Sequence, residues 1–343
     1  MVWFDESRLD DEVALASADL RLRTLAESGS RVRREVDGCS EAVAQAVSRS
    51  IDSRPRAVIA AGPDSRLLRA VLEPFCPVPF VAWPSPALPG WAGSLDLVVV
   101  LAPEGGDAGT ALAVAEAARR GCQLVVAAPA DSIVAEHATG RWTTLLPTTT
   151  GDQLATAVAM LSFLDQVNLG PDAEPEAVSD ALDAVAIACS PNRDISINPA
   201  KMLAISLADA APLVWGGSVL AARAARRIAE SIRRTSGRTA LAGDAEHLLP
   251  VVEAARPRNV FADPLMDADG GDRRPVLVIL DDGVDDPVVR DQRQRLEDAA
   301  RNREVRIEHV AASEATGEVA RYASLLLSGT YAAEYLRLGL VED

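Results

Sequence analysis

The sequence predicts an α/β protein of two tandem doubly wound parallel-sheet lobes, preceded by an N-terminal helical arm. Residues 97–129 read as a strand, a glycine-rich turn, an alanine-rich helix and a second strand. That order is a βαβ unit, which implies a parallel sheet. A strand–turn–helix segment opens at Arg56 and again at Ala211, about 155 residues further along. We therefore expect two lobes of one plan, in which the turns 62–65 and 216–218 hold the same topological position.

The N-terminal arm, residues 1–55, is predicted to be helical. Apolar residues recur at helical spacing from Leu9 to Leu20, and residues 43–51 continue in a second helix. The first α/β domain is expected to cover residues 56–167, with elements bounded by glycine, proline and polar turn residues. Its predicted strands are 56–61, 77–83, 95–102, 123–129 and 141–147, and its predicted helices are 66–73, 108–120 and 151–165.

A linker helix is predicted over residues 168–204, and the second α/β domain over residues 205–343. The linker begins with turn formers and acids at 168–176 and continues as a helix at 176–189. The predicted elements of the second domain are a strand and turn at 211–218, strands at 259–264, 275–282 and 305–312, and helices at 219–234, 287–302 and 316–338.

Composition excludes several classes of function. The 343-residue chain has a net charge of −16, which opposes binding to nucleic acid or to an anionic membrane. Four separate cysteines indicate thiols in a reducing compartment, and the three scattered histidines do not indicate a zinc site. The N-terminus lacks the basic and apolar segments of a signal peptide, and no apolar run reaches ~18 residues. We expect a cytoplasmic protein without a metal or a cofactor.

The turn after the strand at 95–102 is the first candidate site, because ligands of parallel sheets bind at the carboxyl ends of strands. It carries Glu104 and Asp107, which repel an anion, where a phosphate-binding turn carries hydroxyls. We expect Asp107 to cap the following helix. An altered ligand or cation site and a phosphate site are the alternatives. The later run Asp281–Asp286 is expected to be a solvated turn rather than a cation site.

The second candidate is the turn Gly216–Ser218. It holds no acid and is followed by Arg223, Arg226 and Arg227, so the start of the next helix is a candidate anion site. A turn that simply allows tight packing between strand and helix is the alternative interpretation.

Two other side chains are candidates for chemistry. His247 stands beside Glu246, and a histidine tuned by a neighbouring acid can transfer protons. Lys201 is the only lysine, and it follows Asn198 and Pro199 at a predicted helix start. A salt bridge is the plainer interpretation of Lys201, and a surface position is the plainer interpretation of His247.

Four segments, by their order and spacing, resemble the bifunctional phosphoglucose/phosphomannose isomerase family, in which two sugar isomerase (SIS) domains stand in tandem. They are Ala61–Ser65, Ala102–Asp107, Asn198–Lys201 and Trp215–Ser218. The resemblance implies a cytosolic homodimer that acts on glucose 6-phosphate and mannose 6-phosphate. It implies ligand-binding roles for Ser65, Gly105, Thr110, Gly216, Gly217 and Ser218, and catalytic roles for His247 and Lys201.

Two features of that family are missing from this sequence. The segment Arg233–Gly237 has no acid where the family has its catalytic glutamate, and no lysine lies near the C-terminus. We therefore expect a protein that binds a sugar phosphate or a nucleotide sugar, with weak or no isomerase activity. The alternatives are an active aldose–ketose phosphosugar isomerase and a catalytically silent partner or regulator of another sugar-phosphate enzyme.

Overall fold

Helices and strands alternate along most of the chain, as the sequence predicts. The computed structural model describes residues 2–50, 54–255, 273–312 and 315–342. The strands are β1 (Val2–Phe4), β2 (Val58–Ala61), β3 (Phe80–Trp83), β4 (Leu97–Leu101), β5 (Gln123–Ala128), β6 (Thr143–Pro147), β7 (Ala211–Gly216), β8 (Leu241–Ala242), β9 (Pro275–Asp281), β10 (Arg306–Ala311) and β11 (Leu340–Glu342). The helices are α1 (Glu12–Ala26), α2 (Ser28–Ser50), α3 (Ser65–Leu72), α4 (Ala108–Arg119), α5 (Ile133–His137), α6 (Gln153–Gln166), α7 (Pro175–Ala188), α8 (Pro199–Leu207), α9 (Val219–Ser236), α10 (Ala245–Glu253), α11 (Pro287–Asn302) and α12 (Glu318–Gly339).

The chain forms two units. The first lobe is the continuous segment Ser28–Asp180, and the second lobe combines Met1–Glu27 with Ala181–Asp343. The first lobe is therefore inserted, in sequence, into the second. The predicted N-terminal helical region is present, and its helices α1 and α2 fall in different lobes. The four domain ranges proposed from the sequence stay predictions.

The sheet of the first lobe has five parallel strands in the order β3-β2-β4-β5-β6. Every residue of the central strand β4 is buried, which explains why this strand is apolar throughout instead of alternating. Val98 and Val100 of β4 pack in one apolar cluster with Val114 of α4 and Leu124 of β5. The opening strand β2 lies between β3 and β4.

The sheet of the second lobe has the order β8-β7-β9-β10 and is also parallel. Trp215 of β7 is level with Ile279 of β9, and both pack against Leu248 of α10. The opening strand β7 lies between β8 and β9, as β2 lies between β3 and β4. The predicted equivalence of the two turns is confirmed, and so is the α/β fold of two doubly wound parallel sheets.

Most predicted elements are present, with ends that differ by at most three residues. Strand β3 begins at Phe80, since Pro77 and Pro79 lack the N–H that a strand donates to its neighbour. Helix α10, which the sequence does not predict, contains Pro250, a residue that usually breaks helices. The predicted strand at 259–264 lies outside the described residues.

A two-stranded antiparallel ribbon joins the two segments of the second lobe. Trp3 of β1 is level with Val341 of β11, and the Asp5 N–H donates to the Gly339 carbonyl at 2.8 Å. The described part of the predicted helical arm, residues 1–55, contains β1, a 3₁₀ turn, α1 and α2. The ribbon has no counterpart in the sequence prediction, because strands of three residues carry no periodic signal.

All four cysteines are free thiols. Cys39, Cys122 and Cys189 are buried and Cys76 is half-buried. Burial raises the pKa of Cys39 to about 12, so this thiol stays protonated and unreactive at neutral pH. Among the described helices, none is both long enough and apolar enough to cross a membrane.

Candidate ligand site

Each sheet has a point where a ligand site is expected. The chain passes from β2 to β3 on one side and then returns to β4 on the other, and it does the same from β7 to β8 and β9. Ligands of open parallel sheets bind at such switch points, beyond the carboxyl ends of the strands. In the first lobe the switch point lies between the turns 62–65 and 102–107. In the second lobe it lies between the turns 216–218 and 281–286.

In the first lobe, Asp107 caps helix α4. Its Oδ2 accepts hydrogen bonds from the backbone N–H and the hydroxyl of Thr110, both at 2.6 Å. These bonds hold the pKa of Asp107 below its ordinary value, since they favour the ionised carboxylate. The predicted cap is confirmed. The hydroxyl of Thr110, a predicted ligand-binding residue, donates its proton to Asp107.

The other predicted ligand residues of the first lobe are buried. Gly105 is buried, and its N–H donates to the Ala102 carbonyl at 3.0 Å instead of pointing to a ligand. Ser65 begins α3 and is only 1% exposed, and its hydroxyl has no partner among the described residues. Gly62, at a φ of +88°, packs against the Thr110 side chain. The three predicted ligand residues of this lobe thus lie at the switch point but are covered.

The double substitution Glu104→Ser with Asp107→Thr is expected to lower stability without creating a phosphate site. Threonine caps a helix less well than aspartate, so the free energy of unfolding should fall by about 0.5–1 kcal/mol. Urea unfolding measures the loss, and thermal melting with glucose 6-phosphate tests for binding. Glu104→Ser alone is the control, because Glu104 is exposed and its change should be nearly neutral. A phosphate-dependent rise in melting temperature, seen only in the double variant, would show that these acids exclude the anion.

In the second lobe, the turn Gly216–Ser218 opens onto a cleft of about 460 Å³. Ser218 is the N-cap of the 18-residue helix α9, and its Oγ accepts from the Ala221 N–H at 3.0 Å. A Cβ at Gly216 would lie 2.3 Å from the carbonyl carbon of Ala221, so glycine is required where β7 meets α9. Tight packing, one of the two interpretations of this turn, is thus present, and Gly216, Gly217 and Ser218 also line the cleft.

Charged side chains of two helices line the same cleft. Arg226 comes from α9, and Asp244, Glu246 and His247 come from the start of α10. The Arg226 guanidinium lies 3.6 Å from one oxygen of Asp244, and His247 Nδ1 lies 3.9 Å from the other. The acid that pairs with the imidazole is therefore Asp244, not Glu246. The His247 side chain is 80% exposed, so water has free access to it.

A further carboxylate reaches the N-terminus of α9 across the switch point. The Ser218 hydroxyl donates to Oδ2 of Asp282, which follows β9. Asp281 forms an ion pair, and Asp286 caps α11. In the turn 281–286, which is predicted to be solvated, Asp285 is exposed and these three acids are half-exposed. Their carboxylates are engaged within the second lobe.

Lys201 does not line the cleft. It is fully buried, and its Nζ donates to Asp10 Oδ1 at 2.6 Å and to the carbonyls of Pro191 and Arg193, both at 2.8 Å. The ammonium also lies 5.6 Å from the centre of the Tyr335 ring. All three donors of the ammonium are used inside the protein, as the salt-bridge interpretation expects.

Solved structures of sugar-phosphate proteins share this fold. The chain is similar to tagatose-6-phosphate ketose/aldose isomerase from Escherichia coli, with a TM-score of 0.66 and 11% identity over 92% of this chain and 93% of that chain. It is similar to the C-terminal domain of glucosamine-fructose-6-phosphate aminotransferase from Francisella tularensis, with a TM-score of 0.58 and 11% identity over 93% and 96%. A glucose-6-phosphate isomerase-like protein from Thermus thermophilus gives a TM-score of 0.50 and 17% identity over 83% and 82%. A search of curated protein sequences gives no match.

The chain therefore shares its α/β fold with phosphosugar isomerases of known structure. Within the chain, residues 196–339 match the family model of the bacterial phospho-glucose isomerase C-terminal SIS domain. Over this segment the resemblance predicted from the sequence is confirmed.

Proposed function

We propose that this chain binds a sugar phosphate in the cleft of the second lobe and is weak or inactive as an isomerase. The observation that carries the proposal is the meeting of the Gly216–Ser218 turn with Arg226 and His247 around one cleft. A volume of about 460 Å³ lies within the usual range for small-molecule sites.

The cleft has the chemistry that a phosphorylated sugar needs. The first-turn N–H groups of α9 lack intrahelical acceptors, and the helix dipole favours an anion there. Arg226 adds a cation that can donate two parallel hydrogen bonds to phosphate oxygens. The exposed carboxylates of Asp244 and Glu246 can accept hydrogen bonds from sugar hydroxyls.

The same residues are poorly arranged for isomerisation, which requires a base placed to move a proton between two carbons. The segment Arg233–Gly237 carries no acid. Asp244 pairs with Arg226, and Glu246 is exposed to water. Lys201 is engaged by its own partners away from the cleft. These placements support binding without efficient turnover.

Arg226→Gln is expected to weaken sugar-phosphate binding by about 10-fold or more, since a hydrogen bond to a charged group contributes ~1.5–3 kcal/mol. Isothermal titration with glucose 6-phosphate, fructose 6-phosphate and mannose 6-phosphate measures the change. The matched control is Arg234→Gln, which removes an exposed arginine of the same helix outside the cleft.

Neutral glucose should bind wild type more weakly than its phosphate, and a nucleotide sugar tests the alternative ligand. The proposal fails if none of these compounds binds, a result that would favour a catalytically silent partner of another enzyme. Equal binding by the Arg226 and Arg234 variants would place the phosphate elsewhere.

The proposal also includes a cytoplasmic location and a homodimer. Free, buried cysteines support a reducing compartment. The homodimer is carried over from the resemblance to the isomerase family, and light scattering of the purified protein tests it.

A further inference from the structure

The N-terminus of α9 already has a negative group from the protein itself. Asp282 Oδ2 accepts the hydroxyl proton of Ser218, the N-cap of that helix. The other oxygen, Oδ1, accepts from the Val284 N–H at 3.4 Å. Both described partners of this carboxylate are neutral groups, and it lies beside the helix N-terminus that an anion would approach.

The backbone around Asp282 is held in place by contacts on two sides. The Asp282 carbonyl accepts from the Arg321 guanidinium at 3.2 Å. The preceding Asp281 accepts from the Gly283 N–H at 3.0 Å and pairs with Arg293 at 2.8 Å. The carboxylate is therefore a positioned group and not a freely moving surface acid.

The first lobe repeats the arrangement with different residues. There Asp107 accepts from the Thr110 hydroxyl at the start of α4, beside the switch point. Each lobe thus has a carboxylate bound to a hydroxyl at the start of a helix, although the two carboxylates come from different turns. A hydroxyl that donates its proton to a carboxylate cannot donate it to a phosphate.

We propose that Asp282, which contacts the second-lobe cleft through Ser218, lowers the affinity of that cleft for phosphate: it competes with phosphate for the Ser218 hydroxyl and repels the anion. This inference rests on the proposed function, because it concerns the same cleft. Ligands with a phosphate dianion should bind more weakly than the cleft would otherwise allow, while neutral hexoses should not sense the carboxylate's charge.

Asp282→Asn keeps the size of the side chain and removes its charge. Relief of repulsion between charges a few ångströms apart should tighten glucose 6-phosphate binding by about 10- to 100-fold. The matched control is Asp285→Asn, on the same turn, where the side chain is 83% exposed and pairs with Arg290. Titrations of wild type and both variants use glucose 6-phosphate, inorganic phosphate and neutral glucose, and melting curves check that each variant folds. If Asp282→Asn does not fold, Asp282→Ser replaces it.

The expected result is a gain for the two phosphates in the Asp282 variant alone, with neutral glucose unchanged. The inference is overturned if wild type binds glucose 6-phosphate and the Asp282 variant binds it no tighter, or if neutral glucose gains equally. A gain in the variant without detectable binding by wild type would support the inference while contradicting the proposed function. No binding by any of the proteins would overturn both.

Discussion

Lys201→Met is expected to lower the free energy of unfolding by about 3–4 kcal/mol, a large share of the ~5–15 kcal/mol typical of a folded domain. Methionine can fill the space of the apolar stem but supplies no donor. The carbonyls of the half-buried Pro191 and Arg193 would then lose their partner, and so would the Asp10 carboxylate. Because Asp10 is 42% exposed, water can replace part of its bond, which places the loss near the low end for a buried ion pair.

Urea unfolding followed by tryptophan fluorescence measures this loss. Arg234→Met is the matched control, because it removes a cation whose side chain is 75% exposed and should change stability by less than ~0.5 kcal/mol. Equal unfolding midpoints for the two variants would mean that the Lys201 network contributes little. A large loss would identify the sole lysine as a structural residue, consistent with its absence from the cleft.

Purified protein supplied with fructose 6-phosphate is expected to form glucose 6-phosphate or mannose 6-phosphate at least about 10⁴-fold more slowly than a working isomerase. A positioned base and a positioned acid each accelerate such a reaction by ~10²–10⁴-fold. The acidic and basic side chains that line the cleft are exposed to water. The His247 side chain is 80% exposed, and the Asp244 carboxylate forms an ion pair with Arg226. The measurement is a dehydrogenase-coupled assay, supported by deuterium incorporation from heavy water.

His247→Gln tests whether any residual turnover belongs to this cleft. His309→Gln is the control, since His309 lies on β10 and does not line the cleft. Rapid isomerisation that disappears in the His247 variant and persists in the His309 variant would establish an active enzyme.

Contacts between neighbours in the chain could be predicted from the sequence. Asp107 caps α4 through Thr110, three residues later, and Asp152 caps α6 in the same way. The strand β4 could be predicted because complete burial leaves only apolar residues in it. In each case the physical cause acts over a few residues, so the sequence pattern contains it.

Contacts between distant residues could not be predicted. Ser218 and Asp282 are 64 residues apart, and they meet only because β7 and β9 are adjacent in the sheet. Lys201 and Asp10 are 191 residues apart and meet because the N-terminal segment belongs to the second lobe. A run of acids such as 281–286 looks solvated until the tertiary partners are known. The sequence could therefore predict that the Gly216–Ser218 turn and His247 are candidate site residues. It could not predict that the Asp282 carboxylate is bonded to Ser218.

The insertion of the first lobe between two segments of the second sets an order for folding during synthesis. All residues of the first lobe have been made once residue 180 is reached. Trp3 pairs with Val341, so at ~5–20 residues per second the ribosome supplies the partner strand roughly 15–70 s after it has made Trp3. During this interval the N-terminal segment is a nascent chain without its native partners, which makes it a segment on which chaperones can act.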